Sequence, residues 1–238
     1  MPDYINDTCK PLIFLGSSSA MYKQTELCES LGIRIHGIID NDYFGNTEEL
    51  CGFKVIDGQS SFLDEEKRNY YKSNFNFFCA VNWTPESDPV SVRNRNKRLE
   101  LINLIDEWNL PCISIVNPTA RISRFAKIGH GCFIDGNVMI EHHVVVDNFV
   151  NIYSNNDIGH DSYIGRNTVL QRKIGLASKS FLENDVYMAI GVLALKPGAR
   201  YGTGTFIQEG IYIRRGTLPN EIVSLKTENP SRIVGQYH

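Results

Sequence analysis

From Ile122 onward an aliphatic side chain recurs at every sixth position: Ile122, Ile128, Ile134, Ile140, Val146, Ile152, Ile158, Ile164, Leu170, Leu176, Leu182 and Met188. Four residues after most of these the side chain is small (Ala126, Cys132, Val138, Val144, Val150, Ser162, Thr168, Ser180, Val186). Gly or an acidic residue often follows the aliphatic one directly, as in Ile128-Gly129, Ile134-Asp135, Ile140-Glu141, Ile158-Gly159 and Ile164-Gly165. The register slips by one residue near Leu195 and resumes at Tyr201, Ile207 and Ile213. An amphipathic helix would repeat near 3.6 residues and a half-buried strand at about 2, so neither sustains this pattern. A run of sandwich strands would show turn signals without a phase-locked aliphatic position. A step of six predicts a parallel β-helix in which each hexad makes one face and one corner. The aliphatic residue then fills the face from inside, and the small one fits the corner.

Before Pro118 the pattern is different, and it predicts two domains, 1–117 and 118–238. Residues 11–15 read as a buried strand ending at Gly16. Ser17-Ser18-Ser19 offer a cap for a helix over about Ala20 to Leu31, with Gly32 as its stop. Further strands are expected at Arg34–Ile39, Phe53–Ile56, Asn76–Val81 and Ile113–Val116. A helix is expected over about Val92 to Trp108, with Leu99, Leu101, Ile102, Leu104 and Ile105 as its apolar stripe. Strand, glycine turn, helix, strand, acidic residue is the order of a small doubly wound α/β unit. The turn Gly16-Ser17-Ser18-Ser19 carries one glycine, so it is either a phosphate cradle built on serine hydroxyls and helix N–H groups or a plain cap. Asp40, Asn41 and Asp42 fall at a strand's carboxyl end, where such sheets bind ligands; the alternative is a polar turn.

Bulk properties narrow the partners. The 238 residues carry a net charge of −3 with 21% charged side chains, which argues against nucleic acid as the main partner. No apolar run reaches the length of a membrane span, and Met1 to Lys10 lacks a signal-peptide pattern. The six cysteines have no paired spacing and several sit in apolar runs, which suggests reduced residues in a cytoplasmic protein.

The hexads from Ile122 to about Thr217, preceded by the α/β unit, resemble the hexapeptide-repeat sugar acyltransferases: the nucleotide-sugar N-acetyltransferases and sialic-acid O-acetyltransferases. The resemblance covers nearly the whole chain. It implies a Rossmann-like N-terminal domain that binds the nucleotide of the sugar, then a left-handed parallel β-helix with three hexads per coil. It further implies a homotrimer that holds acetyl-CoA, the acyl donor, in a groove between coils of neighbouring chains. By the same resemblance Gly16, Ser17, Ser18, Asp40, Asn41 and Asn82 would meet the nucleotide sugar. The segment Asn151 to Asp161 is similar to the family's N…I-x-H-[DE] segment, which makes His160 the general base and Asp161 the group that orients it, with Asn151 on the substrate. Histidine suits the task because its near-neutral pKa lets it take a proton from an attacking amine or hydroxyl and then release it.

Eighteen residues per coil stack His142 on His160 and His143 on Asp161, so His142 and His143 either act with the base or line the substrate cleft. Ser178 stacks on His160 by the same arithmetic. Its amide, with Gly175 nearby, is the expected donor to the thioester oxygen. Lys226 and Arg232, in a tail that resembles the family's closing coil, would meet the CoA phosphates. The zinc-holding β-helix enzymes use two histidines five apart, a spacing this chain lacks, so no metal is expected. The reading is an acetyl-CoA-dependent N-acyltransferase of a nucleotide-linked amino sugar. The alternatives are a sugar O-acetyltransferase and a non-catalytic trimer that binds a sugar nucleotide or acts as a scaffold.

Overall fold

The computed structural model describes residues 9–85 and 89–224 and divides between Ile115 and Val116 into two compact units. The first holds a five-stranded sheet. Its strands are β1 (Leu12–Leu15), β2 (Ile35–Ile39), β3 (Glu49–Leu50), β4 (Phe53–Asp57) and β5 (Asn76–Cys79), in the order β3-β4-β2-β1-β5. All pairings are parallel except β3 with β4. Helix α1 (Met21–Ser30) joins β1 to β2, α2 (Glu65–Asn74) precedes β5, and α3 (Pro89–Glu107) follows it. β1, between β2 and β5, is a continuous apolar run buried along its whole length, and β5, at the sheet's edge, is buried as fully. Chain order reverses between β1 and β5, which opens a crevice at their carboxyl ends.

Several expectations change here. α1 begins after Ala20 with no side-chain cap, so the serines do not serve as one. Ile113 and Ser114 are not in a strand; only Ile115–Val116 is, in the seven-stranded sheet of the repeat. α3 starts earlier than its apolar stripe suggests, and Leu99 faces outward. The buried position beside it is Arg98, whose guanidinium donates to the Val81 carbonyl at 2.6 Å. Helix α2 escapes a periodicity reading because Tyr71 is its only buried residue. Its signal is Asp64, which accepts from the Lys67 N–H, followed by Glu65 and Glu66 in the first turn.

From Val116 the chain winds into three parallel sheets of two-residue strands, in stacks of six, five and seven. Partners lie eighteen residues apart, as in Met139↔Asp157↔Gly175, until the slip near Leu195 lengthens one coil. The predicted aliphatic column points inward: Ile140, Ile158, Leu176, Ala194 and Ile213 line one face of a continuous core. The residues at the fourth step are buried too, Thr168 and Val186 included.

The corner itself is turned one residue earlier. Asn137, His143, Phe149, Asn155, Asp161, Asn167, Lys173, Lys179 and Asp185 all have φ between +56 and +62°, and Gly191, Gly198, Gly204 and Gly210 continue the series. Left-handed backbone costs non-glycine residues about 1–2 kcal/mol, least for Asn and Asp, which explains the five Asn or Asp residues and the glycines at this step. Buried Asn156 ties two coils together: its Oδ1 accepts the Ile174 N–H and its Nδ2 donates to the Leu170 carbonyl. Asn156→Ala is expected to lower stability by about 1–3 kcal/mol by stranding the Ile174 amide, read as an earlier urea midpoint.

Candidate active site

One corner of the coil collects the reactive side chains. It follows the six-stranded face, and coil periodicity arranges it as three columns: Glu141, Gly159 and Ala177; His142, His160 and Ser178; His143, Asp161 and Lys179. The left-handed backbone at His143 (φ +58°) and Asp161 (φ +59°) sets one above the other. His143 Nδ1 lies 3.2 Å from Asp161 Oδ1, and His160 Nδ1 lies 2.7 Å from Asp161 Oδ2. The imidazoles of His142 and His160 stack at 4.9 Å with an interplanar angle of 3°. Glu141 Oε2 accepts the His160 backbone N–H at 2.8 Å, which pins the residue from the coil below. His160 is about one-third exposed and Asp161 slightly more, so solvent and ligand can reach both.

A carboxylate accepts only, so Asp161 fixes the Nδ1–H tautomer of His160 and leaves Nε2 as the basic nitrogen. Among the described residues Nε2 has no protein partner. The hydrogen bond from His160, with a second from His143, holds the Asp161 carboxyl below its ordinary range against a smaller desolvation effect. One coil up, the Ser178 N–H donates to no group among the described residues. Gly159 makes room for it: a Cβ there would lie 2.6 Å from the Ser178 nitrogen. The corner thus offers a base, its orienting acid and an unspent amide donor.

Other expected site residues are placed differently. Gly175 sits in a strand and spends its amide on the Val192 carbonyl at 3.1 Å, so it is not free to meet a thioester. Asn151 is buried on another face, in the strand Asn151–Ile152 of the seven-stranded sheet, rather than at the histidine corner. Lys226 and Arg232 lie outside the described residues.

In the α/β unit Gly16, Ser17, Ser18, Asp40 and Asn82 do meet at the carboxyl ends of the strands, but their serine hydroxyls and the Asp40 carboxylate are already hydrogen-bonded within the unit. Ser17 Oγ donates to Asp40 Oδ2 at 2.7 Å, and Ser18 Oγ donates to the Ala80 carbonyl while accepting the Asn82 N–H. Asp40 is fully buried and receives Lys97 Nζ on both oxygens, at 2.7 and 2.9 Å. Lys97 also reaches Asp42, which pairs with Arg93; these bonds, that from Lys97 foremost, draw the Asp42 carboxyl down. Above Gly16 (φ +69°) a Cβ would strike Leu101 and Val81, so α3 covers the place where a phosphate cradle would open. The open space lies beside it, a cavity of about 380 Å³ lined in part by Asn41, Gln59, Arg93, Asn96 and Glu100. Sequence reasoning missed Lys97 and Arg93; their signal was two cations four residues apart on a helix whose unit ends a strand in Asp-Asn-Asp.

No family model and no curated protein matches the sequence. Solved structures do. PerB from Caulobacter crescentus, in complex with CoA and GDP-perosamine, is 16% identical, with TM-score 0.73 over 89% of this chain and 92% of that one. The acetyltransferase domain of PglB from Neisseria gonorrhoeae is 17% identical, with TM-score 0.74 over 90% and 96%. WeeI from Acinetobacter baumannii is 14% identical, with TM-score 0.68 over 90% and 96%. The chain has their fold. No helix among the described residues is long and apolar enough to cross a membrane, and none of the six cysteines is in a disulfide.

Two outcomes are expected. Because its folded pKa is depressed, Asp161 contributes stability that is complete above its ordinary value of 3.8 and drains away as pH falls below it. In a carboxyl-carbon NMR titration the Asp161 resonance of His160→Ala should therefore titrate at higher pH than in the parent. Lys97→Met leaves buried Asp40 without its cation and should cost about 3–5 kcal/mol in urea unfolding.

Proposed function

We propose that this chain is an acetyl-CoA-dependent N-acetyltransferase whose acceptor is an amino sugar carried on a nucleotide. The observation that carries the reading is the 2.7 Å bond from His160 Nδ1 to Asp161, which presents Nε2 at an exposed corner within one coil of an unspent Ser178 amide. The neighbours support it: one is described with CoA and GDP-perosamine, another as an acetyltransferase domain with acetyl coenzyme A. The residues fit a thioester, because Gly159 leaves the Ser178 N–H clear where any Cβ would crowd it. Acetyl-CoA supplies the activated acyl group.

In this mechanism His160 Nε2 takes the proton from the acceptor amine as its nitrogen attacks the carbonyl carbon. Asp161 holds the imidazole in register and stabilises the cation that results. The Ser178 N–H donates to the oxygen as negative charge gathers on it. When the carbon–sulfur bond breaks, His160 returns the proton to the departing thiolate sulfur. Nitrogen gains the acyl group, CoA leaves as thiol, and the protein forms no covalent bond.

The coil is left-handed in this reading, and three chains assemble so that the donor lies between coils of two neighbours, with His160 at the seam. The N-terminal unit, residues 1–117, is the Rossmann-like nucleotide-binding domain, and residues 118–238 carry out transfer. Since the serine turn is closed by its own hydrogen bonds, the nucleotide is seated in the cavity beside Asn41, Gln59 and Asn96. Lys226 and Arg232 meet the donor's phosphates, and the setting is the reducing cytoplasm.

The test is thiol release from acetyl-CoA across a panel of nucleotide-linked amino sugars and their hydroxyl counterparts. His160→Ala is expected to lower kcat by about 10²–10⁴-fold, with Asp161→Asn intermediate. A chain that binds the sugars in calorimetry yet releases no thiol with any of them would be a binding protein, and the reading would fall.

A further inference from the structure

The histidine corner has a second chemical capacity, on the side of Asp161 that faces away from His160. Its Oδ1 points toward His143, and His142 packs edge-on against His143 at a centroid distance of 5.1 Å. One ligand atom each from His142, His143 and Asp161 lie within 4.8 Å of one another, and all three residues are exposed. Zinc bound at about 2.0–2.1 Å to each ligand would bring such atoms about 3.3 Å apart, a change that side-chain rotation can supply. Both imidazoles stand at an exposed corner. Two imidazole nitrogens and one carboxylate oxygen suit zinc, whereas Mg²⁺ and Ca²⁺ favour all-oxygen sets.

We propose that His142, His143 and Asp161 form a Zn²⁺ site which, when filled, switches off the adjacent base. Zinc and His160 compete for one carboxylate. With the metal on Oδ1, Asp161 lends less negative charge to the imidazole bonded at Oδ2. The site arises only because the coil brings residues eighteen apart into contact. It needs no second chain, and its filling is independent of what the enzyme acetylates; only the loss of catalysis rests on His160 as base.

Calorimetry of the untagged full chain, stripped with EDTA and titrated with ZnCl₂, tests the site itself. One saturable site per chain is expected, with no heat from MgCl₂, and His142→Ala and His143→Ala should each weaken it by about tenfold or more. Circular dichroism in EDTA confirms that both variants are folded. No saturable uptake, or an unchanged affinity in both variants, overturns the site. In the thiol-release assay zinc should inhibit the parent, with activity restored by EDTA. Zinc bound without inhibition would overturn the switch. A chain that takes up zinc but never releases thiol would leave the metal site standing and remove the transferase reading, so the two failures are told apart.

Discussion

Each turn of the coil must close, and that closure governs everything from Val116 onward. Two-residue strands leave little backbone with which to reverse direction, so each corner from Gly131 to Gly210 borrows one residue in the left-handed region. That repeated local cost, about 1–2 kcal/mol where the residue is not glycine, is offset by the aliphatic column running through the centre of every coil. The balance fixes the period rigidly. A residue inserted anywhere must be absorbed at a corner, as happens near Pro197, where the step from Ala194 to Tyr201 takes seven residues and the inward column then resumes.

A fixed period turns sequence separation into spatial contact. His142 and His160, or His143 and Asp161, have no local reason to meet; they touch because a coil consumes eighteen residues. The same rule lets Glu141 hold His160 by its amide and Gly159 clear a path for Ser178. Polar residues at an outward corner ordinarily gain little by being near one another in water. Here the backbone has already met the entropic cost of bringing them together, and short, directional bonds form on side chains that remain accessible.

Much of this was legible in the sequence. The six-residue pattern predicted the coil, and arithmetic on it predicted the stacked histidines and the His143–Asp161 contact. The sequence did not reveal which polar groups were already satisfied. Ser17, Ser18, Asp40 and Asn82 look like a ligand cradle when read along the chain, yet Ser17 is bonded to Asp40, Ser18 to Ala80 and the Asn82 amide, and Asp40 to Lys97, partners 23 to 64 positions apart. Gly175 shows the converse problem: it has the right residue type one coil from the histidine, but its phase within the hexad puts its amide in the ladder. Asn151 lies on another face for a similar reason, since a shift of one hexad moves a residue to another face.

Burial and exposure divide the two acidic clusters into different kinds of site. Asp40 is sealed from solvent and saturated by Lys97, Ser17 and the Asp42 amide, so a ligand would have to displace a buried ion pair to use it, and the charge left behind would be costly. Asp161 sits at an open corner with one oxygen on each of two exposed imidazoles, and exchanging one partner for another costs little there. The first arrangement stabilises a fold. The second leaves a carboxylate and its imidazole partners within reach of solvent and ligand, and that accessibility, more than the identity of the residues, is what makes the corner a candidate for chemistry.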